Sequence, residues 1–382
     1  MDGAGAGRKG IALTDRQRIS WLRLIRTDNV GPATFRDLIN HFGSAEQALG
    51  MLPELSRRGG SARPVRIATV EDAERELDVA RRFGARFVGV GEPEYPYALR
   101  QIEAAPPLLA IKGEVRVTTP PAVGMVGSRN ASISGAKFAA QIARALGTAG
   151  YTVVSGMARG IDAAAHQASL PTGTIAAMAG GLDRPYPPEN QRLFEEITSE
   201  GLAVSEMPFG WEARARDFPR RNRLIAGIGL GVIVVEAASR SGSLITARLA
   251  GEFGRLVFAV PGSPLDPRCE GTNSLLKQGA IVTTGPDDVL EALAPLSQME
   301  LPILSQADEP VQDGEGRLPE LPDDSARARI VDALGPTPVE IDDIIRHVDL
   351  DAATVYLALL ELDLAGRLHR QPGGLVSLAM SQ

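Results

Sequence analysis

The sequence predicts an α/β protein, with a doubly wound parallel sheet in the middle of the chain and smaller, mainly helical units before and after it. Three observations carry this. Between residues 120 and 285, apolar runs such as GVIVVEAA, beginning at Gly231, alternate with amphipathic stretches such as 133–149 (Phe138, Ile142, Leu146) and 189–200 (Leu193, Phe194, Ile197). The runs are apolar throughout rather than every second residue, the pattern of strands covered on both faces. Run after run ends in a small-residue turn that opens a helix: Gly127-Ser128-Arg129, Ser155-Gly156, Gly180-Gly181 and Ser241-Gly242.

At 382 residues the chain is long enough for two or three domains at about 150 residues each. No apolar run approaches the roughly 18 residues that span a bilayer, so no membrane segment is expected. The first ten residues, MDGAGAGRKG, lack the apolar stretch of a secretory signal, and 1–13 read as a disordered start. One cysteine, Cys269, and four scattered histidines offer neither a disulfide framework nor a metal site. The expectation is a cytoplasmic, metal-free protein without a cofactor. A net charge of −7 argues against a polyanionic partner, but its distribution does not. Residues 287–324 hold eleven acids against Arg317 alone and 325–382 hold eight against five arginines, which leaves +6 on residues 1–286.

Taken in order, residues 14–66 read as a small helical domain. Thr14 is placed to cap a first helix whose apolar face is Ile19, Leu22, Leu24 and Ile25. The stretch NVGPATFRDLINHFGS places Val30, Gly31 and Pro32 before a second helix. This is either the hairpin of a helix-hairpin-helix or SAM-like unit, whose glycine lets a helix N-terminus approach a DNA phosphate, or an ordinary αα-turn. Residues 67–297 form the α/β domain with its lead-in, which contains a helix at 71–83, a short strand near ARFVGV and a proline-rich entry. Strands are expected near 122–127, 152–155, 174–178, 202–205, 231–235, 256–260 and 281–283. Residues 298–324, rich in proline and acids, read as a linker. Helices near 325–335, 338–347 and 351–366, followed by the hairpin RLHRQPGGLVSLA, suggest a winged-helix domain over 325–382.

The strand-end turns are where such a sheet binds ligands. The first, Gly127, Ser128 and Arg129, aims backbone N–H groups and a guanidinium at one point, a cradle for phosphate. The second, VVSGMARGIDAAAHQAS, adds Gly156, Arg159 and Gly160. Its Asp162 and His166, four apart, are either an acid/base pair or a capping carboxylate and a packed imidazole. The second reading is favoured because no nucleophile lies nearby in sequence. The third turn has Gly180, and Tyr186 between prolines, which either stacks on a base or packs. The most basic stretch, GWEARARDFPRRNRLIAG, holds five arginines and two acids from Trp211 to Arg223. It interleaves Arg214, Arg216, Arg221, Asn222 and Arg223 with Trp211 and Phe218, as single-strand binding requires: cations for phosphates and rings for bases. The fifth turn supplies Ser241, Gly242 and Ser243. Glu236, at the end of its strand, is either a general base or the partner of an arginine. No Gly-Lys-Ser/Thr loop occurs, and no acid lies about twenty residues past the first turn to grip a ribose, which weakens both the nucleotide-hydrolysing and the NAD readings.

The blocks GSR (127–129), SGMARGID (155–162), YPPEN (186–190), FPRRNRLIAG (218–227), SGSLITA (241–247) and TNSLLKQGA (272–280), in this order, resemble the DNA-processing protein A family (DprA, also called Smf). The upstream EYPYALRQIEAAPPLLAIKG is similar to it as well. The resemblance implies a Rossmann-like central domain between SAM-like and winged-helix units. It implies a non-catalytic protein that holds and protects single-stranded DNA and loads the RecA recombinase during natural transformation, acting as a homodimer. It also implies a DNA pocket at Gly127, Ser128, Arg129 and Phe218, with Arg214 or Arg216 as the basic residue. The alternative reading is a nucleotide or nucleoside-phosphate hydrolase of Rossmann-like type with Glu236 as base. The candidate recognition helix at 351–366 carries Asp351, Glu361 and Asp363 and no basic residue. It is therefore expected to contact protein, another copy or a partner, rather than DNA.

Overall fold

The computed structural model describes residues 12–61, 63–298, 321–371 and 373–379. Most of the expected disordered start and nearly all of the expected linker lie outside the described residues. The chain divides into two compact units, one running from Glu76 through the central sheet, the other joining the residues up to Arg75 with those that follow the linker.

The chain begins with α1 (Asp15–Ile25), α2 (Pro32–Phe42) and α3 (Ala45–Arg58). Thr14 caps α1 with Gln17 returning the bond, so the capping box fixes the helix start where the sequence places it. After α4 (Val70–Arg82), β1 (Arg86–Gly89), α5 (Tyr97–Arg100) and β2 (Leu108–Gly113) lead into the sheet. Strand–helix alternation follows: β3 (Ala122–Gly127), α6 (Ile133–Thr148), β4 (Thr152–Ser155), α7 (Ile161–Ser169), β5 (Thr174–Ala177), α8 (Gln191–Glu200), β6 (Leu202–Ser205) and α9 (Asp217–Ile228). It continues through β7 (Gly231–Val235), α10 (Gly242–Glu252), β8 (Leu256–Ala259), α11 (Glu270–Lys277), β9 (Ile281–Val282) and α12 (Pro286–Gln298). The last unit has α13 (Asp324–Ala333), β10 (Val339–Glu340), α14 (Ile341–Val348), α15 (Ala352–Leu364), β11 (Leu368–Gln371) and β12 (Leu375–Leu378).

The central sheet has the order β1-β2-β6-β5-β4-β3-β7-β8-β9. From β6 to β9 all neighbours pair parallel. The lead-in is more than an entry: β2 pairs antiparallel with β6, and β1 antiparallel with β2, so it extends the sheet by two strands. Period-two alternation explains why the runs are apolar throughout. Val123 and Met125 of β3, with Ile233 and Val235 of β7, face α6, α7 and α12. Ala122 and Val126, with Val232 and Val234, face α9 and α10. Both faces are covered, and each fully buried aliphatic contributes roughly 1.5–3 kcal/mol. The strand order reverses at β3, with β4, β5 and β6 on one side and β7, β8 and β9 on the other. That switch point opens a crevice at the carboxyl ends of the strands, directly under Gly127-Ser128-Arg129.

In the other unit, a three-stranded sheet (β10-β12-β11) and three helices make the winged helix. The acidic helix, expected to contact another copy or a partner, packs within the chain: α15 seats against α2 and α3. Leu357, Leu360 and Leu364 share one core with Leu38, Phe42, Leu52 and Leu55. The acids are the polar part of this seam. Glu361, with no exposed surface, accepts from Arg58 at 2.6 Å and Arg327 at 2.7 Å. Asp363 accepts from Thr34 and Arg370 at 2.9 Å, and Arg370 also pairs with Asp37. Asn29, just before the hairpin glycine, donates to the Leu364 carbonyl at 2.9 Å. Asn29 and Thr34, on either side of Gly31, thus spend their side chains on α15.

Candidate nucleic-acid interface

The interface is built where β3, β4, β5 and β7 end, and the polar lacing of their turns explains the residue types found there. Gly127 lies against the Val235 carbonyl, where a methyl group would overlap backbone. Ser128 donates its N–H to that carbonyl and accepts from Asn130 at 3.2 Å, so the turn is held by β7, and Arg129 projects exposed from it. In the next turn Gly156 is buried, and a methyl there would collide with the Arg221 guanidinium. Gly160, with φ 76°, opens α7 without a side-chain cap, and exposed Arg159 pairs with Glu189 at 3.7 Å.

Asp162 and His166 do not pair with each other. Asp162 accepts from the Gly156 and Ala158 N–H groups at 3.2 and 3.3 Å, tying the turn back on itself. His166 Nδ1 lies 2.7 Å from the Thr174 hydroxyl. Burial pushes the imidazole down to about 3, with Arg221 adding to the effect, so it is neutral at physiological pH. Burial raises Asp162, opposed by Arg221 and the two backbone donors. The packed imidazole of the favoured alternative is what the geometry contains, whereas Asp162 ties the preceding turn instead of capping α7, which has no side-chain cap.

The loop after β5 is stitched to the loop after β6. Ser205 donates to the Gly180 carbonyl at 2.7 Å, Gly181 N–H to the Trp211 carbonyl at 2.9 Å, and Gly210 N–H to Asp183 at 2.8 Å. These bonds present Trp211, whose indole N–H and the Arg214 N–H both converge on Asp217 at 2.9 Å. The Arg214 guanidinium lies over the Trp211 ring, 4.8 Å from its centroid. Arg214 and Arg216 are exposed, and among the described residues no ion pair engages either of them or Arg129.

The other arginines of the basic stretch turn inward. Arg221 is buried and donates to the Gly156 and Ala177 carbonyls. Burial lowers it to about 10, which leaves it charged at neutral pH. Arg223 donates to the Ala104 carbonyl and pairs with buried Glu206, which also holds Arg220 at 3.0 Å. Burial works to raise Glu206, but Arg223 and Arg220 outweigh it and leave the carboxyl below its ordinary value. Asn222, also buried, donates to the Gly242 carbonyl at 3.2 Å and ties α9 to the start of α10.

Phe218 is the hub of this edge. The Arg129 and Arg221 guanidinium carbons lie over its ring at 5.2 and 5.8 Å, and the Tyr186 ring meets it edge-on at 5.7 Å. Beyond β7, Ser241 caps α10, its hydroxyl 2.6 Å from that of buried Ser243. A Cβ at exposed Gly242 would meet open space. Glu236 holds no arginine of the basic loop. Its carboxylate accepts from the Ser132 N–H at 2.9 Å and from the Ser132 hydroxyl, clamping the N-cap of α6. A hydrolase would need this carboxylate free to act as base.

The sequence model of the DNA recombination-mediator protein A family matches residues 86–294, and those of the DprA-like N-terminal HHH domain and the DprA winged helix domain match 15–79 and 316–374. The chain belongs to the DNA recombination-mediator protein A family. It is 32% identical to protein Smf of Synechocystis, over 94% of this chain and 98% of that one, and 40% identical to protein Smf of Escherichia coli, over 74% and 75%. The crystal structure of DNA processing protein A from Streptococcus pneumoniae matches with a TM-score of 0.61 at 36% identity, over 74% of this chain and 98% of that one. DNA processing protein A from Helicobacter pylori, described for its single-stranded DNA binding mode, matches with a TM-score of 0.50 at 29% identity, over 55% and 96%.

A further cation lies at the same edge, in the fifth turn but outside the residues singled out there from sequence. Arg240 is exposed in the turn after β7, and among the described residues no ion pair engages it. Its signal was position alone, two residues before the turn glycine Gly242. Among the described residues, no cluster of His, Cys, Asp and Glu suits a metal, and no helix is long and apolar enough to cross a membrane.

Proposed function

We propose that this chain is a single-stranded DNA-binding recombination mediator that works in the cytoplasm without catalysing a reaction. Arg129 takes a backbone phosphate at the switch point, and Arg214, Arg216 and Arg240 carry the strand along the carboxyl edge of the sheet. Arg221, Asn222 and Arg223 position that edge from beneath. Family resemblance adds protection of incoming DNA in natural transformation, loading of RecA and action as a homodimer. The observation that carries the reading is Arg129 held over Phe218 with no carboxylate paired to it. A guanidinium kept exposed and without an ion pair beside an aromatic hub suits an anion with attached bases.

The test is fluorescence anisotropy with single- and double-stranded oligonucleotides at about 50 and 200 mM salt. The wild type should prefer the single strand. Arg129→Ala should weaken binding across sequences and reduce the slope of log K against log salt by about 0.7, the share of one phosphate on a single strand. Equal binding of duplex, or an unchanged Arg129→Ala protein, would overturn the reading.

A further inference from the structure

We infer that Tyr186 is a base-stacking platform of this interface, a role that rests on the single-strand reading and adds a base contact to its phosphate contacts. Tyr186 is 47% exposed, one of few large apolar side chains among the described residues with so much free surface. Its ring is inclined at 64° to that of Phe218 rather than stacked parallel on it, and the side chain keeps nearly half of its surface in solvent. Phe218 meanwhile carries two guanidinium groups over its ring. The hub therefore supports a cation and a tyrosine side by side, Arg129 for a phosphate and Tyr186 for the base of that nucleotide or its neighbour.

The loop that presents Tyr186 is restrained before any ligand arrives. Pro185, Pro187 and Pro188 fix φ around it. Asp183 is held by the Gly210 N–H at 2.8 Å on one side, and Asn190 donates to the Met157 carbonyl at 2.8 Å on the other. A platform already ordered in the free protein loses little entropy on binding, so its stacking energy appears as affinity. Stacking on a ring face is tolerant of sequence, as suits a protein that takes any strand.

The experiment compares oligo-dT with an abasic strand of equal length, which has the same phosphates and no bases, on wild type, Tyr186→Leu and Tyr186→Phe. Tyr186→Leu should lose about tenfold in affinity for oligo-dT and nothing on the abasic strand, with an unchanged salt slope, because no phosphate contact is removed. Tyr186→Phe should bind like the wild type. In Tyr186→Trp, oligo-dT should quench the added indole fluorescence and the abasic strand should not, which supplies a readout even if the leucine variant folds poorly. Equal affinity of Tyr186→Leu and wild type for oligo-dT, or an equal loss on both strands, would overturn the inference. Failure of the wild type to bind either single strand would instead overturn the single-strand reading itself.

Discussion

At the scale of single residues, burial decides what each charged group does. Five arginines crowd the stretch from Trp211 to Arg223, yet Arg221 and Arg223 serve carbonyls and Glu206 while Arg214 and Arg216 stay in solvent. The sequence held a signal for this division. Arg221, Leu224, Ile225 and Ile228 recur at helical spacing, so Arg221 lies on the apolar stripe of α9. His166 shows the same control by burial. Its pKa of about 3 lies below the ordinary 6.5, so between those values the unfolded chain takes up a proton that the folded chain refuses. Stability should fall as pH drops through that window, by about 2 kcal/mol between pH 7 and pH 5. Urea denaturation followed at several pH values checks this, and His166→Leu should flatten the profile over the same range.

At the scale of elements, helix ends and helix seams are secured by carboxylates taken from other parts of the chain. Glu236, at the end of β7, holds the N-cap of α6, 104 residues away in sequence. The residue carries φ 54°, a left-handed conformation costly for any residue with a Cβ and held here with both carboxylate oxygens engaged. On α15, Glu361 is turned inward to Arg58 and Arg327. Gly59 lets the α15 backbone approach, since a methyl there would overlap the Glu361 carbonyl. Glu361→Ala strips a buried partner from two arginines and should destabilise this unit by about 3 kcal/mol in chemical denaturation. Single-stranded DNA binding at the central sheet should be unchanged in the same variant.

At the scale of the whole molecule, the two ends of the chain fold together. The N-terminal helices and the winged helix share a core although more than 250 residues separate them in sequence, as the 303-residue span between Arg58 and Glu361 illustrates. A protease site introduced between 299 and 320 should therefore yield two pieces that still co-elute in gel filtration, with the C-terminal piece released only by denaturant. Separation under native conditions would show that the seam does not hold on its own.

By itself the sequence determined the parallel sheet, the positions of its strands, the turns that hold Gly127, Gly156 and Ser241, and the winged helix. All of these rest on local rules, in which side-chain period, glycine and capping residues act within a few positions of one another. The same local rules found β1 in the lead-in but took β2 as part of a proline-rich entry, because its pairing with β6 joins residues about ninety apart. Only the tertiary structure decided that Glu236 clamps the N-cap of α6, that Arg221 underpins the strand-end edge while Arg129 faces outward, and that the acidic helix α15 seats against α2 and α3 of its own chain. Each of these depends on which groups lose water together. Burial sets whether a charge is spent on a neighbour or left for a ligand, and burial is fixed by contacts between distant segments.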